Sequence, residues 1–468
     1  MIPLWTSAQA ERATQGRASR DWIASGVSID SRTLEDGDLF VALHGPNYDG
    51  HDFISDAFSR GAAAAIVDKN NEGSVLKVED TMIALESLGR AARKRTGATI
   101  IAVTGSVGKT GSKDALGFAL SRQAKTYANT GSLNNHWGVP LSLSRMPPKT
   151  TFGIFELGMN HPGEIFPLSK LVRPHVALIT TVEAVHSEFF ESDEDIADAK
   201  AEIFAGLDSN GIVVLNFDNK HFHRLAATAQ AMGITNIISF GAGRDADFRL
   251  LDADPNETGT VVHADLGGEV LTYHLSIAGL HWVYNSLGVL AAVAAAGGDF
   301  RAAAVDLGEL KAGKGRGAFH VLRTTNGEFT LIDESYNASP VSMKAAIEVL
   351  GRAKPASGGR RIAVLGDMLE LGQKSAQLHA GLADVLKKEA IDLVFTAGDQ
   401  MANLAKALGP KMSAGHVKHM SILKAMVLEA IQAGDVIVVK GSAGSNTGII
   451  VNALLALNQK CSDSEFQK

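Results

Sequence analysis

The sequence predicts an α/β protein of three domains. Its 468 residues exceed the size of one hydrophobic core, since single cores stop growing at about 250–300 residues. Short apolar runs alternate with segments of helical periodicity along most of the chain, which is typical of parallel sheets covered by helices. The 48 glycines suit tight turns and closely packed layers. We therefore expect three successive units, each built around a sheet.

The composition excludes several classes of protein. Hydrophobic residues make up 45% of the chain and charged residues 20%, as in ordinary globular domains. The formal net charge is −7 and there is no long basic run, so we expect neither a nucleic-acid partner nor binding to a membrane surface. The single cysteine, Cys461, excludes an internal disulfide. We find no signal peptide and no bilayer-spanning run, and we expect a cytoplasmic monomer.

The first predicted domain comprises residues 1–95. Strands are expected near 39–43 and 63–67, and a helix near 82–95. The second comprises residues 96–312, and its helix near 284–296 is followed by a glycine-rich basic linker at 311–317. Its strands are expected at 98–103, 151–157, 176–182 and 212–216, with an antiparallel excursion at 247–277 whose turns fall at Pro255-Asn256 and Gly267-Gly268.

The third predicted domain, residues 313–468, repeats the α/β pattern. Its strands are expected at 329–333, 361–365, 393–397 and 436–439. Asp333 follows the first of these strands, where a carboxylate can accept from ribose hydroxyls; a cluster of helix N-caps explains the same residues. The segment KGS at 440–442 follows the last strand. It suits an anion, and it equally suits a glycine-rich turn.

The segment TGSVGKT at 104–110 carries the clearest chemical signal. It joins a predicted strand to a helix-compatible segment at 113–120, which is the setting of a phosphate-binding loop. The loop is shorter than the usual motif, because Val103 stands where the first glycine is expected. An ordinary strand-to-helix turn that holds a lysine is the alternative. The residues predicted to bind phosphate or metal here are Gly105, Ser106, Val107, Gly108, Lys109 and Thr110.

Two further predicted strands of the central domain lead to metal-binding residue types. One ends at Glu156 and the next leads to His186. Ligands in open parallel sheets lie beyond the carboxyl ends of the strands, so both side chains are expected to meet Thr110 beside a triphosphate. Oxygen ligands suit Mg²⁺. The alternatives are a carboxylate that caps a helix and a structural loop histidine.

Lys200 interrupts an apolar helical stripe. A helix is expected over residues 196–207, and Ile196 and Phe204 lie four residues to either side of the lysine. Such a lysine either extends its head to solvent or faces an active site. In the second case burial lowers its pKa and frees the amine for reaction.

Several ordered segments resemble the Mur ligases, the ATP-dependent amide-forming enzymes of peptidoglycan assembly. The resemblance covers nearly the whole chain. The matching segments are DSR at 30–32, GDLFVAL at 37–43, TGSVGKT at 104–110, NNHWGVP at 134–140, ELGMNHPGE at 156–164, AKAEIF at 199–204, DESYNASP at 333–340, LGDMLELG at 365–372 and KGS at 440–442.

The resemblance implies a fold and a reaction. It implies a central P-loop parallel-sheet ATPase domain, a small N-terminal α/β domain for a UDP-sugar, and a C-terminal Rossmann-like α/β domain. The motifs are most like those of members that act on UDP-N-acetylmuramoyl-tripeptide and D-alanyl-D-alanine. ATP and two Mg²⁺ ions are the implied cofactors. The family's modified lysine maps onto Lys200, which would be carbamylated.

The resemblance also assigns residues. Lys109, His186 and Lys200 are implied in catalysis, the last two also in metal binding. Two positions depart from the family: Trp282 replaces an asparagine and Gly111 a serine or threonine. The nucleotide ligands implied outside the phosphate loop are Asn285, Arg316, Asp333 and Asn337, and the substrate ligands are Ser31, Arg32, Asn134, Asn135, Asn160 and His161.

Other functions stay open at this point. A different Mur-type ligase or a folylpolyglutamate synthase-like ligase would share the phosphate loop. A nucleotide-binding switch protein would also need that loop. It would not need a strand-end glutamate, a histidine and a helical lysine together.

Overall fold

The computed structural model describes residues 3–184, 188–256, 259–324 and 326–465. These residues form three large sheets of five, nine and six strands, in chain order, and one small two-stranded sheet. Helices pack against each large sheet, and separate hydrophobic cores form beneath them. The predicted three-domain α/β fold is confirmed.

The N-terminal domain has a mostly parallel sheet. Its strands follow the order β2-β7-β6-β5-β4, with β2 antiparallel, and β1 pairs with β3. Predicted strands 39–43 and 63–67 correspond to β5 and β6, and the predicted helix to α3. The elements are β1 (Trp5–Thr6), α1 (Ser7–Thr14), β2 (Arg17–Ala18), β3 (Ile23–Ala24), β4 (Gly26–Ser28), β5 (Asp38–Val41), α2 (Ile54–Ser59), β6 (Ala64–Val67), β7 (Val75–Lys77) and α3 (Thr81–Lys94).

The central domain has a sheet of nine strands in the order β16-β15-β14-β13-β12-β11-β8-β10-β9. Strands β8–β14 are parallel, and β14–β16 form the predicted antiparallel excursion. The elements are β8 (Thr99–Thr104), α4 (Lys109–Ser121), β9 (Thr126–Ala128), α5 (Gly138–Ser144), β10 (Phe152–Glu156), α6 (Ile165–Val172), β11 (Val176–Ile179), α7 (Asp193–Ala201), β12 (Ile212–Asn216), α8 (Phe222–Ala231), β13 (Asn236–Gly241), β14 (Phe248–Asn256), β15 (Gly259–Leu266), β16 (Val270–Leu275), α9 (Leu280–Ala295) and α10 (Phe300–Asp306).

The C-terminal domain has six strands in the order β17-β18-β22-β19-β20-β21. Only the β17–β18 pairing is antiparallel. All four predicted strands are present. The elements are β17 (Ala318–Thr324), β18 (Gly327–Glu334), α11 (Pro340–Arg352), β19 (Arg361–Gly366), α12 (Ser375–Ala380), α13 (Leu382–Lys388), β20 (Leu393–Ala397), α14 (Met401–Leu408), β21 (Ser413–Val417), α15 (Met420–Ala430), β22 (Val436–Lys440) and α16 (Gly448–Glu465).

The helix expected over 196–207 is confirmed as an α-helix only as far as Ala201. Helix α7 ends at Ala201, and a 3₁₀ turn follows at Glu202–Gly206. The Ser169 hydroxyl of α6 donates to the Ile203 carbonyl over 2.5 Å, so that carbonyl is engaged outside its own helix. The Glu202 carboxylate accepts from backbone N–H groups at the start of α6. Contacts with α6 therefore tighten this segment.

The two predicted turns of the excursion differ in outcome. The turn at Gly267-Gly268 is confirmed, since it joins β15 to β16. The prediction of a turn at Pro255-Asn256 is wrong, because β14 continues through Asn256, which pairs with Gly259. Among the described helices, none combines the length and the apolar character needed to cross a bilayer.

Candidate active site

The predicted phosphate-binding loop joins β8 to α4. Gly105 and Gly108 have positive φ angles of 149° and 84°, which favour glycine. A Cβ on Gly105 would lie 1.9 Å from the Thr180 hydroxyl oxygen. That hydroxyl donates to the Val107 carbonyl over 2.6 Å. The loop is therefore locked against the end of β11, and its N–H groups at the start of α4 are available to an anion.

Lys109 curls back over its own loop. Its ammonium donates to the carbonyls of Gly105 at 2.6 Å and Ser106 at 3.2 Å. Burial lowers the pKa of Lys109; the charge of Glu156 opposes this shift and that of Arg316 adds to it. These influences place Glu156 and Arg316 near the same ammonium, where phosphate oxygens would neutralise the excess positive charge.

A buried chain of polar groups connects Thr110, Glu156 and Asn134. The Thr110 hydroxyl donates to Glu156 Oε2, and Asn134 Nδ2 donates to Glu156 Oε1, each over 2.7 Å. Glu156 is only 1% exposed. A hydroxyl that gives its proton to a carboxylate keeps lone pairs for a cation, so these oxygens fit a hard metal such as Mg²⁺.

The carboxyl ends of β8 and β10 lie side by side, as predicted. Strand β8 lies between β10 and β11 in parallel register, with Val103 opposite Glu156. The third predicted ligand, His186, lies outside the described residues. The backbone of Glu183, on the way to it, exchanges two hydrogen bonds of 2.9 Å with the Ser106 side chain. Sequence reasoning missed this anchor, since main-chain contacts leave no residue signature.

Lys200 is almost completely buried, with 2% of its surface exposed. Burial holds its pKa well below the usual value, and the charge of Lys109 lowers it further. Its ammonium has no hydrogen-bond partner among the described residues. The predicted location on a buried face is confirmed.

Residues around the linker bring the C-terminal domain against the central one. The Arg316 guanidinium stacks over the Tyr336 ring at 3.9 Å and donates to the Ser132 hydroxyl at 3.4 Å. The Tyr336 hydroxyl also contacts that of Ser132. Tyr336 was missed by sequence reasoning, although it is the one aromatic residue of the DESYNASP segment.

The end of β18 is tied to the linker and to β22. The Asp333 carboxylate accepts from the Gly315 N–H at 2.9 Å and from the Ser335 N–H and hydroxyl. It is 1% exposed, so in this arrangement it anchors the linker, and ribose binding stays a prediction. Lys440 donates to Glu334 at 3.2 Å and to the Asn337 carbonyl at 2.8 Å.

A cleft of about 640 Å³ lies between two walls, one formed by the phosphate loop and its neighbours in the central domain and the other by the C-terminal domain. It is large enough for a nucleotide and part of a second substrate. The predicted residues that line it are Ser106, Val107, Gly108, Lys109, Thr110, Asn134, Glu156, Asn160, Asn285, Arg316 and Asn337.

Models of one protein family match all three domains. The Mur ligase family catalytic domain matches residues 24–96, the Mur ligase middle domain 103–293, and the Mur ligase glutamate ligase domain 318–443. The UDP-N-acetylmuramoyl-tripeptide–D-alanyl-D-alanine ligase of Rickettsia prowazekii is 33% identical over 455 residues, covering 96% of this chain and 99% of its own. This chain belongs to the Mur ligase family.

Solved Mur ligases share the whole fold. A crystal structure of MurF from Acinetobacter baumannii superposes with a TM-score of 0.83 at 28% identity, covering 97% of this chain and 99% of its own. The MurF ligase of Thermotoga maritima in complex with ADP gives 0.75 at 27% identity, covering 93% and 98%.

In this Mur ligase several predicted residues lie away from the cleft wall. Arg32 is exposed, with its guanidinium 2.7 Å from Asp30, and Ser31 beside it is buried. Asn135 accepts from the Gly138 N–H at 2.9 Å and so caps α5. His161 pairs with Glu164 at the surface. Their roles in substrate binding, and those of Gly105, Lys200 and Asp333 in the cleft, stay predictions.

Proposed function

We propose that this Mur ligase uses ATP to join D-alanyl-D-alanine to UDP-N-acetylmuramoyl-tripeptide, in a cytoplasmic step of peptidoglycan precursor synthesis. Relatives that carry this activity in their names match nearly the full chain. The observation that carries the proposal is the buried Thr110–Glu156–Asn134 chain beside the phosphate loop, which faces the Arg316–Tyr336 pair across the cleft. A simple nucleotide-binding switch would not need that second wall.

The three domains divide the work. Residues 1–95 hold the UDP end of the first substrate, with Ser31 and Arg32 at its contact surface. Residues 96–312 bind ATP, and residues 313–468 admit the dipeptide. We propose that the enzyme acts as a monomer; both walls of the cleft come from one chain, so the site needs no second copy to be complete.

The oxygen donors of the cleft fit Mg²⁺. Thr110 and Glu156 would hold one ion, and His186 with a modified Lys200 a second. Bound Mg²⁺ lowers the repulsion between triphosphate oxygens and an incoming carboxylate. Asn134 holds the Glu156 carboxylate in place.

The chemistry requires activation of a carboxylate, which is a poor acyl donor. The γ-phosphoryl group of ATP passes to the terminal carboxylate of the tripeptide, and ADP leaves. The dipeptide amine then attacks the acyl carbon of this acyl phosphate through a tetrahedral intermediate. The amide bond forms, inorganic phosphate departs and the amine loses a proton.

The chain's own groups stabilise the charge that develops. The Lys109 ammonium, freed from the Gly105 and Ser106 carbonyls, binds the phosphate oxygens together with the loop N–H groups. Arg316 approaches the same oxygens when the linker at 311–317 closes the domains. Asn285 meets the adenine, and Asp333 and Asn337 lie toward the ribose.

Lys200 is carbamylated in the active enzyme. Burial and the charge of Lys109 lower the pKa of the Lys200 amine, and this favours the neutral form that reacts with CO₂. The neutral nitrogen attacks CO₂, a nitrogen–carbon bond forms and one proton is released. The product is an anion that suits a cationic site, where an ammonium beside Lys109 does not.

The test is ADP release measured with each substrate withheld in turn. We expect release only when UDP-N-acetylmuramoyl-tripeptide and D-alanyl-D-alanine are both present. Lys109→Ala should lower the rate about 10³-fold, the cost typical of removing a transition-state charge contact, while circular dichroism stays unchanged. ADP release with a single amino acid in place of the dipeptide would indicate another ligase specificity, and release without any acceptor would contradict the proposal.

A further inference from the structure

Gly111 and Trp282, the two departures from the family motifs, touch each other. Gly111 lies in the first turn of α4, and a Cβ built on it would be 2.7 Å from Cη2 and 3.1 Å from Cζ2 of the Trp282 indole. Carbon atoms in proteins do not approach so closely. Any side chain at position 111 therefore has to displace the indole.

A second contact of the same kind lies one helical turn away. A Cβ on Gly108 would be 2.9 Å from the side-chain amide of Asn285. Trp282 and Asn285 are three residues apart and lie on one face of α9, while Gly108 is the N-cap of α4 and Gly111 lies in its first turn. Helix α9 thus rests on the start of α4 through two glycines, with one large side chain seated on each.

The indole belongs to the cleft as well as to the core. Trp282 is 7% exposed and packs in the core that α4 and α9 share. Gly108, Gly111, Trp282 and Asn285 all line the cleft.

We propose that Gly111 and Trp282 act as a coupled pair that positions the phosphate loop for ATP. Because Gly111 has no side chain, the indole fits directly against the first turn of α4. The indole then holds this turn in the position that nucleotide binding requires. Trp282 is thus a positioning residue of the nucleotide site. The inference rests on the proposed ATP-dependent function.

A double-mutant cycle tests the coupling, because the same change at 111 is made with and without the full indole. Gly111→Ala alone should raise the KM for ATP about tenfold while the KM for D-alanyl-D-alanine changes less than about twofold. Trp282→Phe, which shortens the ring, should raise the KM for ATP about threefold. The double variant should stay near threefold, since alanine now fits.

Thermal unfolding supplies a readout that needs no activity. Alanine is a better helix former than glycine, so Gly111→Ala should raise Tm in the Trp282→Phe background. In the wild-type background the clash should lower Tm by about 3 °C. This reversal of sign is expected only if the two side chains compete for the same space.

Intrinsic fluorescence places Trp282 at the nucleotide. ADP with Mg²⁺ should change the emission of the wild-type enzyme, and Trp282→Phe should remove most of that change. Trp22→Phe is the matched control, since Trp22 is also 7% exposed but lies in the N-terminal domain; it should leave the change intact.

Equal KM increases for Gly111→Ala in both backgrounds, or a full ADP response in Trp282→Phe, would overturn the inference while wild-type ligation persists. A wild-type enzyme without ATP-dependent ligation would instead overturn the proposed function. The Tm reversal would still report on the contact between the two residues.

Discussion

The central domain buries two lysines, Lys113 in α4 and Lys200 in α7, and the surroundings of their ammonium groups differ. The ammonium of Lys113 donates to the carbonyls of Asn129 at 2.8 Å and Gly131 at 2.9 Å, and it lies 2.9 Å from an Asp114 oxygen. Lys200 is as deeply buried but has no hydrogen-bond partner among the described residues. Burial alone therefore does not distinguish a structural lysine from a reactive one.

The difference follows from what each ammonium faces. The Lys113 ammonium contacts two carbonyls and a carboxylate, and its hydrogen bonds hold the loop at 129–134 against α4. That loop carries Asn129 and Asn134, and both hydrogen-bond to Glu156. Burial holds the pKa of Lys200 well below the usual value, and the charge of Lys109 lowers it further. One region uses the charge of its lysine to build the site, and the other favours loss of that charge.

The largest expected effect comes from removing the reactive lysine. Lys200→Ala should lower kcat about 10³-fold, because the proposed carbamate would be lost both as an anionic ligand and as a charge-balancing group. Added formate or acetate should restore part of the activity by occupying the vacated space. Lys200→Arg should stay inactive, since its charge persists.

Lys109→Ala is the matched control for the rescue, because a carboxylate cannot replace its cation. The idea fails if short carboxylates restore both variants equally. It also fails if a crystal structure of the active enzyme shows an unmodified Lys200 head away from any metal.

The next effect concerns the structural lysine. Lys113→Met should lower the free energy of unfolding by about 3 kcal/mol, because two buried carbonyls lose their donor. Urea denaturation measures this. kcat should fall about tenfold as Asn134 loses its position, with no recovery on adding formate. A stability close to that of the wild type would show that the carbonyls find other partners, and the contrast between the two lysines would weaken.

The same two regions show what sequence can and cannot predict. Glu156 was predicted beside Thr110 because the carboxyl ends of parallel strands share one edge of a sheet. Lys200 was predicted on a buried face because its neighbours repeat with helical spacing. Lys113 gave no such signal: its partners are backbone carbonyls in a loop 16 and 18 residues away, and carbonyls look alike in every sequence.

Long-range contacts explain the remaining errors. The helix expected over 196–207 tightens after Ala201 because Ser169, from another helix, engages the Ile203 carbonyl. The Asp333 carboxylate accepts from the Gly315 N–H and the Ser335 hydroxyl, contacts that the sequence did not indicate, while its contact with ribose stays a prediction. The sequence alone did not indicate a role for Trp282; that role follows from its contact with Gly111. In each case local pattern identified the element, and the partner from elsewhere in the chain decided its role.

The smallest effect is a pH dependence of stability that belongs to Lys200 alone. In CO₂-free buffer its pKa is lowered in the folded state, whereas the unfolded chain has the usual value of about 10.4. Between the two, the unfolded state binds a proton that the folded state does not. The free energy of unfolding should therefore rise with pH in this window, by at most about 1.4 kcal/mol per unit.

Lys200→Met removes this titration, so the free energy of unfolding of the wild type minus that of the variant should rise with pH between the lowered pKa and about 10.4, by at most about 1.4 kcal/mol per unit. Urea denaturation of both proteins at several pH values, under argon, gives the difference directly, and titrations common to both proteins cancel. Parallel curves would mean that Lys200 keeps its proton when folded. The neutral amine required for carbamylation would then be missing, and the distinction between the two buried lysines would rest on hydrogen bonding alone.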